Sequence, residues 1–248
     1  DLYYFVDAAK IVPCICSCYM LTLSQSICNL CKVTGKGKIY AIAFIAFCPA
    51  FFLVGQHVNY DALVAFLMAL AFYYTLLWEQ NPTWKNTISM AFVFGIGMMT
   101  KVSFLVVAVF TAFIMLRKFI FFIKEKKTGV MIARFIVFGA ISFPIGLWYY
   151  IRNMIKFGQP PIYVRDAAST AGSPLYTGDY SLIERFLSID WRNLIQTPYT
   201  NPLNDYNAPV YYIKSSVFGE YRFAVRIIPR LLLLFACILA VMAVIAFI

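Results

Sequence analysis

Residues 88–116 read ISMAFVFGIGMMT-K-VSFLVVAVFTAFIML, an apolar run interrupted by the single charge of Lys101. About twenty apolar residues are enough to cross a hydrocarbon core of roughly 30 Å. A lysine held at the centre of the bilayer costs about 3 kcal/mol on insertion scales. The fold therefore depends on whether this run forms one helix or two helices that turn at Lys101.

The composition is that of a membrane protein. Of the 248 residues, 62% are hydrophobic and only 13% are charged, whereas a soluble domain is about half apolar and about a quarter charged. Apolar stretches of spanning length recur along the chain, which predicts an all-α, polytopic transmembrane helical bundle. The net charge of +10 comes from Lys and Arg at the ends of apolar spans. It indicates membrane topology rather than nucleic-acid binding.

The distribution of these cations favours two helices in the run around Lys101. Cytoplasmic loops carry the excess of Lys and Arg. One helix would place the cations that follow the run opposite Lys32, Lys36 and Lys38, whereas two helices place all of them on one side. The cations in question are Arg117, Lys118, Lys124, Lys126 and Lys127. We therefore predict a turn at Thr100-Lys101, with helices from about residue 84 to the turn and from the turn to about residue 123.

The same reading of the chain predicts about seven spans and one long outer segment. The other spans are expected at residues 6–30, 39–54, 62–78, 131–151 and 229–248. We divide the chain into a transmembrane core at 1–151, an extracytoplasmic loop segment at 152–228 with short interfacial helices, and a further, incomplete transmembrane helix at 229–248. Within the outer segment, residues 181–187 have the apolar spacing of a short helix lying on the membrane surface. We interpret both ends of the sequence as cuts in a longer chain.

No cofactor or metal site is predicted. The Cys28–Cys31 pair has CxxC spacing but lacks a second ligand pair and a nearby His, so we interpret the seven cysteines as free apolar side chains. The sequence contains no serine–histidine–acid set and no phosphate-binding loop. The acids of the outer segment are scattered, and their spacing selects none as a base: Asp166, Asp179, Glu184, Asp190, Asp205 and Glu220.

Three polar groups are predicted at the outer membrane boundary. They are the turn from His57 to Asp61, the lysine at position 101, and the pair Arg152-Asn153. Two cations at one depth suit a lipid-linked phosphate, because Arg presents a planar fork and Lys a point charge. Plainer interpretations stay open for each group: a snorkelling Lys101, an interfacial anchor at Arg152, an N-cap at Asp61 and a polar turn residue at His57.

The same segments carry a family resemblance. The string HVNYDAL at 57–63 resembles the N-D-A-L opening of a helix in polyprenyl-phosphate-sugar-dependent glycosyltransferases of the GT-C fold, with Tyr60 inserted between Asn59 and Asp61. That group includes the protein O-mannosyltransferases and the lipid A aminoarabinose transferases (glycosyltransferase family 39 type). GIGMMTKVS at 95–103 is similar to its G-L-A-x-x-T-K segment. Pro144 with WYYIRN at 148–153 and FGQP at 157–160 resembles its P-W-Y-x-R-N segment, and YYIKSSVFG at 211–219 resembles the stretch before its next span.

The resemblance implies a membrane glycosyltransferase of the cell membrane with an extracytoplasmic active face. The donor would be a polyprenyl-phosphate sugar and the acceptor an envelope lipid, polysaccharide or protein. Lys101 and Arg152 would bind the donor phosphate, and His57, Asn59, Asp61 and Asn153 would line the site.

In that family the catalytic acid lies in the first outer loop. Asp1-Leu2-Tyr3-Tyr4 resembles the end of that loop, so the acid is expected upstream of Asp1. Two alternatives stay open: a transporter or flippase of a lipid-linked or anionic solute, and a structural membrane subunit.

Overall fold

The fold is helical throughout the part of the chain that can be described. A computed structural model describes residues 7–48, 51, 55, 58, 60–124, 126, 128–158, 181–187, 209–210, 213–214, 217, 225 and 227–247. Within these residues no β-strand occurs. The helices are α1 (Ile11–Leu30), α2 (Gly35–Ala46), α3 (Asp61–Gln80), α4 (Trp84–Thr100), α5 (Leu105–Lys124), α6 (Thr128–Phe157), α7 (Leu182–Leu187) and α8 (Ile227–Phe247), with a 3-10 turn at Val102–Phe104.

Among the described residues, four helical segments are long and apolar enough to cross a membrane: Asp7–Leu30, Asp61–Gln80, Val102–Lys124 and Thr128–Phe157. The chain is therefore an all-α, multi-pass membrane protein, as its composition predicts. Helix α4 has 17 residues, slightly under the usual length of a span. The expected total of about seven spans stays a prediction.

The predicted turn at Thr100-Lys101 is confirmed. Helix α4 ends at Thr100, and α5 begins after the 3-10 turn. The hydroxyl of Thr75 in α3 lies 2.8 Å from the hydroxyl of Thr111 in α5 and 3.8 Å from the sulfur of Met90 in α4. Residues on both sides of the turn thus meet α3 at one level, which requires the chain to double back at Lys101.

Helices α1, α3, α4, α5 and α6 belong to one compact unit, which comprises residues 1–33 and 58–163. The indole N–H of Trp78, which is fully buried, donates to the hydroxyl of Thr87 at 2.9 Å and ties α3 to α4. The side-chain amide of Gln80 donates to the carbonyl of Leu30 at 2.8 Å, which joins the ends of α1 and α3. Such interhelical hydrogen bonds favour association where the lipid supplies little hydrophobic driving force.

Close packing between α4 and α6 depends on glycine. A Cβ added at Gly95 would lie 2.7 Å from Cβ of Ile145, and one added at Gly146 would lie 3.0 Å from Cβ of Met98. Small residues let helix backbones approach in membranes. Consequently α4 and α6 run side by side, from the Trp84–Arg134 contact at one end to the Met99–Trp148 contact at the other.

Two helix boundaries differ from those predicted. Helix α2 runs over Gly35–Ala46, so it begins before the predicted residue 39 and ends before Pro49, since the residue preceding a proline disfavours the helical conformation. The predicted end at residue 54 lies outside the described residues. Helix α6 continues past the predicted end at Ile151 to Phe157, with Pro144 inside it. Arg152 and Asn153 therefore lie in the last turns of a helix rather than at the start of a loop.

The second compact unit comprises residues 34–57 and 164–248 and includes α2, α7 and α8. The rings of Phe47 and Phe235 meet edge to face with centroids 6.4 Å apart. Phe47, Val217 and Cys237 help to line an apolar cavity of about 360 Å³. The predicted short helix at 181–187 is confirmed as α7. The proposed division into core, outer segment and final helix stays a prediction.

Candidate functional site

The tip of the α4–α5 hairpin places Lys101 at the end of two helices. Its backbone is extended, with φ −160° and ψ 138°, and caps α4. Its N–H donates to the carbonyl of Gly97 at 3.2 Å, and its carbonyl accepts from the N–H of Phe104 at 3.1 Å. The ring of Phe104 packs in the space that a side chain at Gly97 would need. The glycine-containing end of α4 thus allows the tight turn that presents this lysine.

The ammonium group of Lys101 is paired with the carboxylate of Asp61. Nζ of Lys101 lies 2.5 Å from Oδ1 of Asp61, and the two side chains are 37% and 35% exposed. The same Nζ lies 4.8 Å from the centroid of the Tyr60 ring, within the range of a cation–π interaction. The pair joins the first residue of α3 to the hairpin tip across 40 positions of sequence.

The end of α6 is attached to the end of α4. The indole N–H of Trp148 donates to the sulfur of Met99 at 3.0 Å, and the hydroxyl of Tyr150 donates to the carbonyl of Met98 at 3.1 Å. These bonds bring the last turns of α6 to the same end of the unit as Lys101. Arg152 lies there, exposed, with its guanidinium donating to the side-chain oxygen of Asn153 at 3.4 Å.

The predicted site residues fall into three groups. Lys101 and Asp61 are in direct contact. Arg152 and Asn153 lie at the same end of the unit, in the last turns of α6. His57 and Asn59 lie outside the described residues. The N-cap interpretation of Asp61 is wrong, because Tyr60 takes the cap position and Asp61 is the first helical residue. At that position the helix dipole stabilises a negative charge.

Tyr60 belongs to the predicted turn but was not itself predicted as a site residue. The sequence shows it as an insertion within the N-D-A-L-like string, and nothing in its spacing points to Lys101. The contact depends on the return of the chain through α3, α4 and the hairpin turn. The one sequence feature that could have indicated this contact is an aromatic residue inserted next to the acidic first residue of a helix.

The opposite end of this unit is strongly basic. The hydrogen bond between Gln80 and Leu30 lies there. So do the ion pair of Arg117 with Glu79 and the contact between Arg134 and the Trp84 ring. The described cations at this end are Lys32, Lys85, Arg117, Lys118, Lys124, Lys126 and Arg134. The excess agrees with the charge pattern from which the hairpin was predicted.

The described residues offer few acids at the end that holds Lys101. Asp7 pairs with Lys10 at 2.7 Å, and Asp61 pairs with Lys101. Across the part of the chain that the structure describes, no group of three or more His, Cys, Asp or Glu side chains could hold a metal ion. The arrangement therefore provides cations and aromatic rings at a membrane boundary, which suits an anionic group attached to a lipid.

Comparison with known proteins gives one family. The family model described as dolichyl-phosphate-mannose-protein mannosyltransferase matches residues 8–154, which include α1, the Asp61–Lys101 pair and Arg152. No curated protein and no solved structure gives a significant match.

Proposed function

Because the chain belongs to the dolichyl-phosphate-mannose-protein mannosyltransferase family, which consists of membrane glycosyltransferases of the GT-C type, we propose that it transfers a sugar from a polyprenyl-phosphate donor. The acceptor is a lipid, polysaccharide or protein of the cell envelope. The single observation that supports this proposal is the position of Lys101 and Arg152 at one end of the same helical unit. Arg provides a planar fork and Lys a compact charge for a phosphate group.

The reaction we propose is a direct displacement at the anomeric carbon. A carboxylate, which the family resemblance places in the first outer loop, accepts the proton of the acceptor group as that group attacks. The bond between the anomeric carbon and the phosphate oxygen breaks, and the electron pair leaves with the polyprenyl phosphate. Lys101 and Arg152 stabilise the charge that develops on this leaving group, an electrostatic effect that is strongest where water is excluded.

The active face is proposed to be extracytoplasmic. The end of the unit opposite Lys101 carries the excess of Lys and Arg, and such an excess marks the cytoplasmic side of membrane proteins. On this orientation the phosphate-binding cations lie at the outer boundary of the cell membrane. A lipid-linked donor in the outer leaflet can reach them without leaving the bilayer.

The test is sugar transfer by the full-length protein in detergent. We expect Lys101→Ala and Arg152→Ala each to lower the transfer rate by roughly 10²-fold to 10³-fold, the loss typical of a group that stabilises transition-state charge. Lys156→Ala is the matched control, because Lys156 is exposed on the same end of α6, and its rate should stay within about twofold of wild type. Wild-type rates in both test variants would refute the phosphate assignment.

The same assay separates the transferase from the transporter alternative. Detergent micelles have no two compartments, so sugar transfer in detergent requires chemistry rather than movement across a membrane. Absence of transfer there, with uptake of a lipid-linked solute into proteoliposomes, would support transport instead.

A further inference from the structure

The ammonium group that we assign to the donor phosphate already has a resident anion. Lys101 Nζ and Asp61 Oδ1 are 2.5 Å apart, and about a third of each side chain is exposed. At this separation the carboxylate occupies the position next to Nζ that a phosphate oxygen would also take. The ammonium group has three N–H donors, so Asp61 competes with a phosphate oxygen that approaches Nζ from this side.

The backbones that carry this pair are fixed by packing below the site. The hydroxyl of Thr75 bonds to Thr111, and the indole of Trp78 bonds to Thr87, so α3 is held to both arms of the hairpin. A change of partner at Lys101 does not need these helices to separate. We expect the exchange to involve rotation of the Asp61 side chain, which is partly exposed to solvent.

The Tyr60 ring gives Lys101 a contact that an exchange of anions does not break. The centroid of the ring lies 4.8 Å from Nζ, and a cation–π interaction of this kind joins the ammonium charge to the ring quadrupole without the carboxylate taking part. The ring therefore holds the ammonium group near the start of α3 while its anionic partner changes.

We propose that Asp61 is a resident counter-ion of Lys101, which the donor phosphate displaces and which returns to help expel the polyprenyl phosphate after transfer. This inference rests on the proposed function, since it takes Lys101 as the phosphate ligand. Asp61 thus acts as a positioning residue. Competition by the carboxylate lowers the affinity for the lipid phosphate product, because two anions near one cation repel each other.

The test is binding of a prenyl monophosphate to the full chain. The protein is reconstituted in phosphatidylcholine nanodiscs and titrated with farnesyl phosphate, and the Kd is measured. We expect Asp61→Asn to bind about threefold to tenfold more tightly than wild type, a range set by the coupling energy of a partly exposed ion pair. Asp61→Ser should do the same, because serine also lacks the negative charge, and it covers the case in which Asp61→Asn fails to fold.

Three controls test whether Asp61 acts through its negative charge. Asp61→Glu restores the carboxylate and should bind farnesyl phosphate as wild type does. Farnesol lacks the phosphate, and its affinity should be the same in all variants. Tyr60→Phe keeps the ring and should match wild type, whereas Tyr60→Ala should weaken binding of farnesyl phosphate. An unchanged or weaker affinity in both Asp61→Asn and Asp61→Ser would overturn the proposal.

A Lys101→Gln background separates this inference from the proposed function. If Lys101→Gln weakens binding of farnesyl phosphate but Asp61→Asn does not tighten it in the wild-type background, the phosphate assignment stands and counter-ion exchange is refuted. If Lys101→Gln has no effect, the phosphate assignment and the exchange fail together. If exchange occurs through Lys101, adding Asp61→Asn to Lys101→Gln produces no further gain in affinity.

Discussion

The hydroxyl groups of Thr75 in α3 and Thr111 in α5 lie 2.8 Å apart, and both residues are almost fully buried. Thr75 also donates to the carbonyl of Ala71 in its own helix at 2.8 Å. Since one hydroxyl has one hydrogen, Thr111 is then the donor in the bond between the two helices. This contact holds the second arm of the hairpin against the helix that begins at Asp61.

Loss of this hydrogen bond should destabilise the bundle. We expect Thr75→Val to lower the free energy of unfolding by about 1 kcal/mol, because it leaves the Thr111 hydroxyl without this acceptor in the apolar interior. The measurement is denaturant unfolding in detergent. Thr22→Val is the matched control, since the Thr22 hydroxyl bonds within its own helix α1, to the carbonyl of Tyr19, and an equal loss of stability there would contradict the prediction.

Glycine at position 97 should be needed for the turn at Lys101. Gly97→Ala places a methyl group in the space of the Phe104 ring, and overpacking of this kind costs about 1–3 kcal/mol. We expect a lower melting temperature and weaker binding of farnesyl phosphate, because the turn positions Lys101. Gly129→Ala is the control, since a methyl group there has no neighbour within 4 Å, and it should leave both quantities near wild type.

The orientation of the bundle can be read from the accessibility of its two ends. In a variant of the full-length protein with all seven cysteines of this chain replaced by serine, Lys156→Cys should react with an impermeant maleimide in intact cells. Lys126→Cys should react only after the membrane is permeabilised, because it lies at the basic end. Both positions are exposed, so a difference in labelling reports sidedness. The reverse pattern would place Lys101 on the cytoplasmic face.

The short helix α7 should lose stability at low pH. The hydroxyl of Ser181 and then its backbone N–H donate to the carboxylate of Glu184 at 2.8 Å each, which lowers the pKa of Glu184 from its ordinary value of 4.5. The contribution is therefore present above pH 4.5 and is lost as the pH falls through the lowered pKa. Hydrogen exchange of the Ser181 amide measures it.

We expect acidification below the lowered pKa to increase the opening of this amide beyond the intrinsic change in exchange rate. In Glu184→Gln the opening should depend little on pH over the same range. Protection in wild type that does not change through this range would contradict the assignment.

The hairpin could be predicted from the sequence because charge reports topology without a structure. The five cations from Arg117 to Lys127 are compatible with positive-inside topology only if the chain reverses near Lys101. The boundaries of α2 and α6 were less predictable, since apolar runs do not show where hydrogen bonding stops. The end of α6 in particular continues as a helix through the polar residues Arg152, Asn153 and Lys156.

The residues of the candidate site were selected from the sequence and stay a prediction, whereas the contacts between them could not be predicted. Lys101, Asp61 and Arg152 were selected from the sequence, yet the pairing of the first two joins positions 40 residues apart and depends on side-chain packing. Tyr60 was noted only as an insertion. Such a contact forms because α3, α4 and α5 meet at one end of the unit. The spacing of apolar residues along a single helix does not show which other helices it meets.

Helix α6 extends farther than α4 at the end of the unit that holds Lys101, so this lysine lies below the end of α6. The 17 residues of α4 rise about 26 Å at roughly 1.5 Å per residue, which is less than the roughly 30 Å of a hydrocarbon core. Tyr150 in α6 reaches the level of Met98 in α4, and α6 then continues to Phe157, about 10 Å farther along its axis. Lys101 therefore lies deeper along the bundle axis than the end of α6. Because bilayer thickness sets the position of the lipid headgroups relative to the helix ends, we expect it to affect how far a headgroup must move to reach Lys101.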